Sequence, residues 1–153
     1  AHFNPFVSLA MFFRKKIKSN LLKYYIPAQI SGCLFGVMLA NVFFEHALLE
    51  LSTKNRDGLH IFFSEIVATF GLIFIIFATL KDGKTIVAIS VATYISAGYW
   101  FTSSTSFANP AVSIARTFTD SFTGINYLNT PTYILAEFIG LILAAYILKI
   151  IYK

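Results

Sequence analysis

The sequence predicts an all-α membrane protein, and three observations carry that prediction. Of its 153 residues, 57% are apolar and only 12% are charged, with a mean hydropathy of +0.71. Soluble domains hold about 25% charged residues, so this chain has roughly half the charge needed to coat a water-facing surface. Four apolar stretches approach the roughly 20 residues that a helix needs to cross a hydrocarbon core about 30 Å thick. Two more apolar stretches are too short to cross, and each opens on Asn-Pro. The composition excludes a soluble globular enzyme, a disordered tail and a disulfide scaffold, and the single Cys33 has no internal partner. A net charge of +5 and a pI near 9.4 do not point to nucleic acid, because most bases cluster between apolar runs rather than on a solvated face.

Each element has a local reason. Residues 4–13 and 109–118 would rise about 15 Å as helix, half of the core thickness. Asn is a strong helix cap and Pro a good first residue, so both read as half-helices. The spans are expected at 21–44, 59–80, 85–101 and 131–152. The first holds Pro27 and Gln29 but no acid, and the second holds one acid, Glu65. The third ends in Tyr99-Trp100, and the fourth opens on Pro131 and carries Glu137. Tyr24, Tyr25, Tyr133 and Tyr152 suit the aromatic belt at the headgroups. All six segments belong to one expected domain, 1–153.

Charge gives the orientation. Arg14, Lys15, Lys16, Lys18, Lys23, Lys81, Lys84, Lys149 and Lys153 make nine of the twelve bases, with only Asp82 against them on that side. Lys54, Arg56 and Arg116 fall on the other side with Glu45, Glu50, Asp57 and Asp120. The positive-inside rule makes the first side, with the C-terminus, cytoplasmic.

The two short segments are copies. Asn4-Pro5-Phe6-Val7-Ser8-Leu9-Ala10 aligns with Asn109-Pro110-Ala111-Val112-Ser113-Ile114-Ala115 at an offset of 105, with five of seven positions identical. The repeat continues into the following spans, where Ala28-Gln29-Ile30-Ser31-Gly32 matches Ala136-Glu137-Phe138-Ile139-Gly140. Small residues recur at every fourth position in Gly32, Gly36 and Ala40, in Ala88, Ala92 and Ser96, and in Ala136, Gly140 and Ala144, a pattern that lets membrane helices approach closely. Three spans separate the motifs, so one enters from each face: an inverted repeat whose half-helices meet near the midplane.

With these residues in view, the sequence resembles the aquaporin, or major intrinsic protein, family. The matching stretches are Ala1 to Ala10 and Ser106-Phe107-Ala108-Asn109-Pro110-Ala111-Val112, and Glu65 with Thr69-Phe70 resembles the family's buried helix glutamate. The resemblance covers essentially the whole chain. It implies an aquaporin-like fold of six spans, here four full spans plus two half-helices, with two spans expected before Ala1. It also implies a homotetramer in the lipid bilayer that passes small neutral solutes, with no cofactor, no metal and no enzymatic step. Asn4, Pro5, Phe6, Asn109, Pro110 and Ala111 become the pore motifs. Each Asn caps its helix through the side-chain oxygen and is expected to keep its NH2 for the lumen, where the helix dipoles repel cations and break the proton wire.

The filter departs from that of the water-specific relatives, which place Arg after the second Asn-Pro-Ala. Here Val112 stands there, and counting from Asn109 puts the other positions at Ala97 or Gly98 and at Ser106. Small neutral walls imply a wide constriction, similar to an arsenic-linked bacterial branch, and hence glycerol-like polyols, arsenite or other metalloid acids beside water. Arg116, one turn beyond Val112, either supplies the missing guanidinium or stabilises the half-helix end beside Asp120. Phe6 either packs beside Pro110 or narrows the lumen. Glu65 is read as accepting backbone N–H bonds from a re-entrant loop, the alternative being a proton relay. His2 is a pore-lining candidate, and Asn41 is read as a helix-to-helix hydrogen bond. An ion-coupled transporter also uses broken helices, although neutral Asn at both tips argues against coupling. A non-conducting structural membrane protein is the third reading.

Overall fold

The computed structural model describes residues 2–152; Ala1 and Lys153, read above as part of the first motif and as a C-terminal base, lie outside the described residues. Among the described residues there is no strand. The helices are α1 (Pro5–Phe13), α2 (Ser19–Phe43), α3 (Leu59–Thr79), α4 (Lys84–Phe101), α5 (Pro110–Ala115) and α6 (Thr130–Ile151). Three of them are long and apolar enough to cross a membrane: α2, α3 with its 3₁₀ extension to Asp82, and α6. The expected span at 85–101 is helical as α4, but its 18 residues fall short of that standard. Lys84 at its start and the interspersed Thr, Ser, Tyr and Gly dilute its apolar character. The second short segment is also shorter than expected, with six α-helical residues and then a 3₁₀ turn at Arg116–Phe118.

The chain divides into two compact units, each made of two separate stretches. One comprises Ala1–Asp57 and Asn109–Ile134. In it α1 and α5 both pack on α2, burying Val7, Ala10, Met11, Ala111 and Ala115. Helix α1 ends in a Schellman turn: Lys15 N–H donates to Phe12 O at 2.8 Å and Lys16 N–H to Met11 O at 2.8 Å. That motif requires a left-handed residue, and Lys15 takes it with φ of 54°. Helix α2 ends the same way, with Glu45 at φ 60° and His46 N–H on Asn41 O at 2.8 Å. Beyond it, the extended segment at 50–54 lies along the chain after α5: Ser52 N–H donates to Thr117 O at 2.9 Å, and Asn126 N–H to Lys54 O at 2.8 Å. Asn41 makes the expected bond between helical segments and also holds the loop: its Nδ2 donates at 2.9 Å to the carbonyl of Phe118, the last residue of the 3₁₀ turn after α5, and at 3.3 Å to Leu48 O.

The other unit comprises Gly58–Ala108 and Leu135–Lys153. Its core is the face of α3 carrying Ala68, Leu72, Ile73 and Ile76, together with Leu141, Ala144 and Leu148 of α6. Two glycines permit the close approaches. A Cβ on Gly140 would lie 2.6 Å from the Ile66 carbonyl oxygen, and one on Gly71 would strike the Tyr94 hydroxyl. That hydroxyl instead donates to the carbonyls of Ala68 at 3.1 Å and Val67 at 3.2 Å. The three small-residue stripes therefore differ. Ala136, Gly140 and Ala144 are buried, whereas Gly32, Gly36 and Ala40 on α2, and Ala88, Ala92 and Ser96 on α4, are exposed.

Candidate functional site

The Asn-Pro motifs build their helix starts in the same way. Asn4 is extended, and its Oδ1 accepts the N–H groups of Phe6 at 2.9 Å and Val7 at 3.5 Å. Asn109 is extended too, and its Oδ1 accepts Ala111 N–H at 3.1 Å. Proline follows each cap, where its missing N–H costs nothing. Both motifs lie in the first unit, and one bond joins them: Asn109 Nδ2 donates to the carbonyl of Phe3, the residue before Asn4, at 3.0 Å. The two helix N-termini therefore abut. This corrects the expectation that the amide of Asn109 is kept wholly for the lumen, since one of its hydrogens holds the facing loop.

The segment leading into Asn4 is fixed from α2. Gln29 Nε2 donates to His2 O and to Ser8 Oγ, both at 2.9 Å, and Ser8 Oγ lies 3.3 Å from His2 Nδ1. Ser8 is fully buried and Gln29 nearly so, while the His2 ring is half-buried beside Tyr25. Phe6 is packed at 8% exposure.

In the second unit the segment leading into Asn109 is held by a carboxylate. Glu65, fully buried on α3, accepts Phe107 N–H on Oε1 at 2.9 Å and Ala108 N–H on Oε2 at 2.8 Å. Three residues of this segment are left-handed without being glycine: Thr105 at φ 64°, Ser106 at 50° and Ala108 at 48°. Such backbone costs of order 1 kcal/mol or more per residue and persists only where its surroundings over-determine it. Two charge-assisted bonds from one carboxylate supply that constraint.

The expected filter residues are distributed over both units. In the second unit Ala97 is exposed on α4, whereas Gly98 is buried against Ser106. A Cβ on Gly98 would fall 2.6 Å from Ser106 Oγ, so these two form a packed pair. In the first unit Val112 and Arg116 line one cavity of about 440 Å³ with Cys33, Gly36, Asn41 and His46. Its rim belongs to the loop network, where His46 Nδ1 pairs with Glu50 Oε1 at 2.6 Å and Glu50 Oε1 accepts Asp120 N–H at 3.1 Å. The Asp120 carboxylate accepts Thr53 N–H at 2.8 Å and Thr53 Oγ1 at 3.0 Å. The Thr53 N–H holds that carboxyl below its ordinary pKa.

Phe3, Gln29, Ser8 and Thr53 were not marked as site residues by the sequence reading. Gln29 left a signal as a polar residue inside an apolar span, and Ser8 as a position identical in both motifs; a backbone carbonyl such as that of Phe3 leaves none.

With this geometry established, comparison with known proteins is informative. The family model described as "Major intrinsic protein" matches residues 1–106. An aquaglyceroporin, AqpS of Rhizobium meliloti (strain 1021), is 40% identical over 149 residues, covering 97% of this chain and 64% of that protein. Aquaporin-4 of Rattus norvegicus is 27% identical and that of Homo sapiens 26%, each over 152 residues that make up 46% of those proteins. The chain thus spans from about half to about two-thirds of the length of these relatives. With its apolar spans and paired Asn-Pro helix starts, it is an integral membrane protein, and it belongs to the major intrinsic protein family.

Proposed function

We propose that the protein is a passive transmembrane channel for small neutral solutes: water, glycerol-like polyols and neutral metalloid acids such as arsenite. The observation that carries this reading is the Asn109–Phe3 bond, which brings two capped helix N-termini together. Each N-terminus carries about half a positive charge. Two facing each other raise a barrier to cations, while their carboxamides turn the oxygen of a passing water toward them and interrupt proton hopping. No step consumes energy or breaks a bond.

The selectivity proposed here follows from Val112. A branched aliphatic side chain has no hydrogen-bond donors and takes less room than a guanidinium, so the constriction is wide and neutral. Ala97, Gly98 and Ser106 are the other proposed filter positions, with Arg116 one turn beyond Val112. The similarity to AqpS, an aquaglyceroporin, supports a polyol-permeable reading. A homotetramer in a bacterial plasma membrane with a cytoplasmic C-terminus completes the proposal.

The test is stopped-flow entry of water, glycerol and arsenite into vesicles containing the full-length gene product. Wild type should pass all three without a proton gradient, and Val112→Arg should retain water while losing the larger solutes. Glycerol and arsenite flux unchanged in that variant would overturn the filter assignment. Uptake that collapses with the proton gradient would overturn passive conduction.

A further inference from the structure

The turn between α1 and α2, with the first turns of α2, carries a concentration of charge for which solute conduction has no use. Arg14, Lys15, Lys16, Lys18 and Lys23 fall within ten residues, and the first acid in the chain is Glu45. Among the described residues no ion pair involves Lys15, Lys16 or Lys18, and all three are exposed. They surround an open basin of about 710 Å³ that Phe12, Ile17, Ser19 and Asn20 also line. Ser19 and Asn20 are the first residues of α2, whose N-cap position is Lys18. Lysine has no acceptor to offer, so the first N–H groups of α2 take no side-chain cap and add to the local positive potential. The end of α1 supplies geometry as well. In its Schellman turn Lys15 occupies the left-handed position that glycine usually fills, which puts a cation at the tightest point of the turn.

Exposed apolar side chains lie next to the lining residues in sequence or one helical turn beyond them. Phe13 is 49% exposed, Leu21 39% and Tyr24 65%, with Lys23 Nζ lying 5.1 Å from the centre of the Tyr24 ring. Helix α2 has 25 residues, so it is about 37 Å long and exceeds the hydrocarbon core by more than a turn. Its first turn therefore belongs at headgroup depth. A ligand suited to this place carries a phosphate for the lysines and helix N–H groups, and alkyl chains for the adjoining collar.

We propose that this basin is a binding site for the headgroup of an anionic phospholipid. Lys15, Lys16 and Lys18 engage its phosphate, and its acyl chains lie along Phe13, Leu21 and Tyr24. The positive-inside rule accounts for a surplus of bases on one side of the membrane, but not for a basin built from three of them with an apolar edge. A lysine near an anionic surface is worth about fivefold in binding. Replacing the three should therefore weaken anionic-lipid binding by about a hundredfold where all three act, and by at least tenfold after partial screening.

The experiment uses the full-length protein in detergent, titrated with phosphatidylglycerol or phosphatidylcholine and followed by native mass spectrometry. The wild type should retain phosphatidylglycerol at least tenfold more tightly than phosphatidylcholine. K15Q/K16Q/K18Q should lose that preference, and K15R/K16R/K18R, which keeps the charge and controls for folding, should preserve it. K81Q/K84Q, in the other basic turn, should leave the preference intact. Four outcomes would overturn the proposal: equal retention of both lipids by wild type; equal losses in K81Q/K84Q and the triple variant, which would show diffuse surface charge; loss in the arginine variant; and displacement of the lipid by millimolar inorganic phosphate, which would make this a site for free phosphate.

Discussion

Replacing Glu65 with Gln removes a charge without changing shape, and its consequence follows from two distances. The carboxylate takes Phe107 N–H at 2.9 Å and Ala108 N–H at 2.8 Å, one on each oxygen. An amide has one oxygen, so in either orientation its NH2 group meets an N–H group. Phe107 and Ala108 are 4% and 0% exposed, so water does not reach the abandoned donor. A hydrogen bond to a charged acceptor contributes about 1.5–3 kcal/mol, and a buried unsatisfied donor costs about 1–3 kcal/mol. Relief from burying a charge offsets part of this. A net destabilisation of about 2–4 kcal/mol remains. It is comparable to the strain of three left-handed residues at roughly 1–2 kcal/mol each, so the segment before Asn109 should relax. Denaturation in detergent should show the lost stability, and stopped-flow water entry should fall in parallel. Glu65→Asp keeps the charge but is one methylene short, and should lie between Gln and wild type. Wild-type stability together with wild-type water entry in Glu65→Gln would refute the assignment of Glu65 as the clamp on this segment.

Gly98→Ala should destabilise by about 1–3 kcal/mol, because its methyl would lie 2.6 Å from Ser106 Oγ. The double variant with Ser106→Gly should recover most of that loss in the same denaturation assay. The Asp120 carboxyl is held below its ordinary pKa, so its unfolded form binds protons more readily than the folded form. Its contribution is therefore complete above the unfolded value and is lost as pH falls through the folded one. Limited proteolysis of the 46–57 loop should show protection at neutral pH that weakens below about pH 4, in line with ordinary carboxylate pKa values. Asp120→Asn should be cut readily at neutral pH, and identical cutting of both proteins at every pH would exclude the carboxylate as the loop's anchor.

Capping chemistry is local, which is why two Asn-Pro pairs are enough to place the starts of α1 and α5. Hydropathy is also local, and it marks α2, α3 and α6 from composition and length alone. The stretch 85–101 forms α4, and the scattered hydroxyls keep its hydropathy below that of the other three. The end of α5 was not legible. The change from α to 3₁₀ at Arg116 coincides with loop bonds made elsewhere in the chain, among them Ile125 N–H to Arg116 O at 3.2 Å and Asn41 Nδ2 to Phe118 O at 2.9 Å. The three small-residue stripes look alike in sequence, yet only that of α6 is buried, since spacing does not reveal which neighbour arrives.

The order of residues determined that this chain lives in lipid, that it contains one motif twice, and where the six helices begin. Those properties depend on solvation and on contacts within a few residues. Tertiary structure decided that Asn109 reaches the carbonyl of Phe3 across 106 positions, that Gln29 anchors one motif and Glu65 the other, and that Gly98 exists to admit Ser106. Each of these rests on groups distant in the chain or on backbone atoms common to every residue, and it becomes definite only when the fold brings those groups within bonding distance.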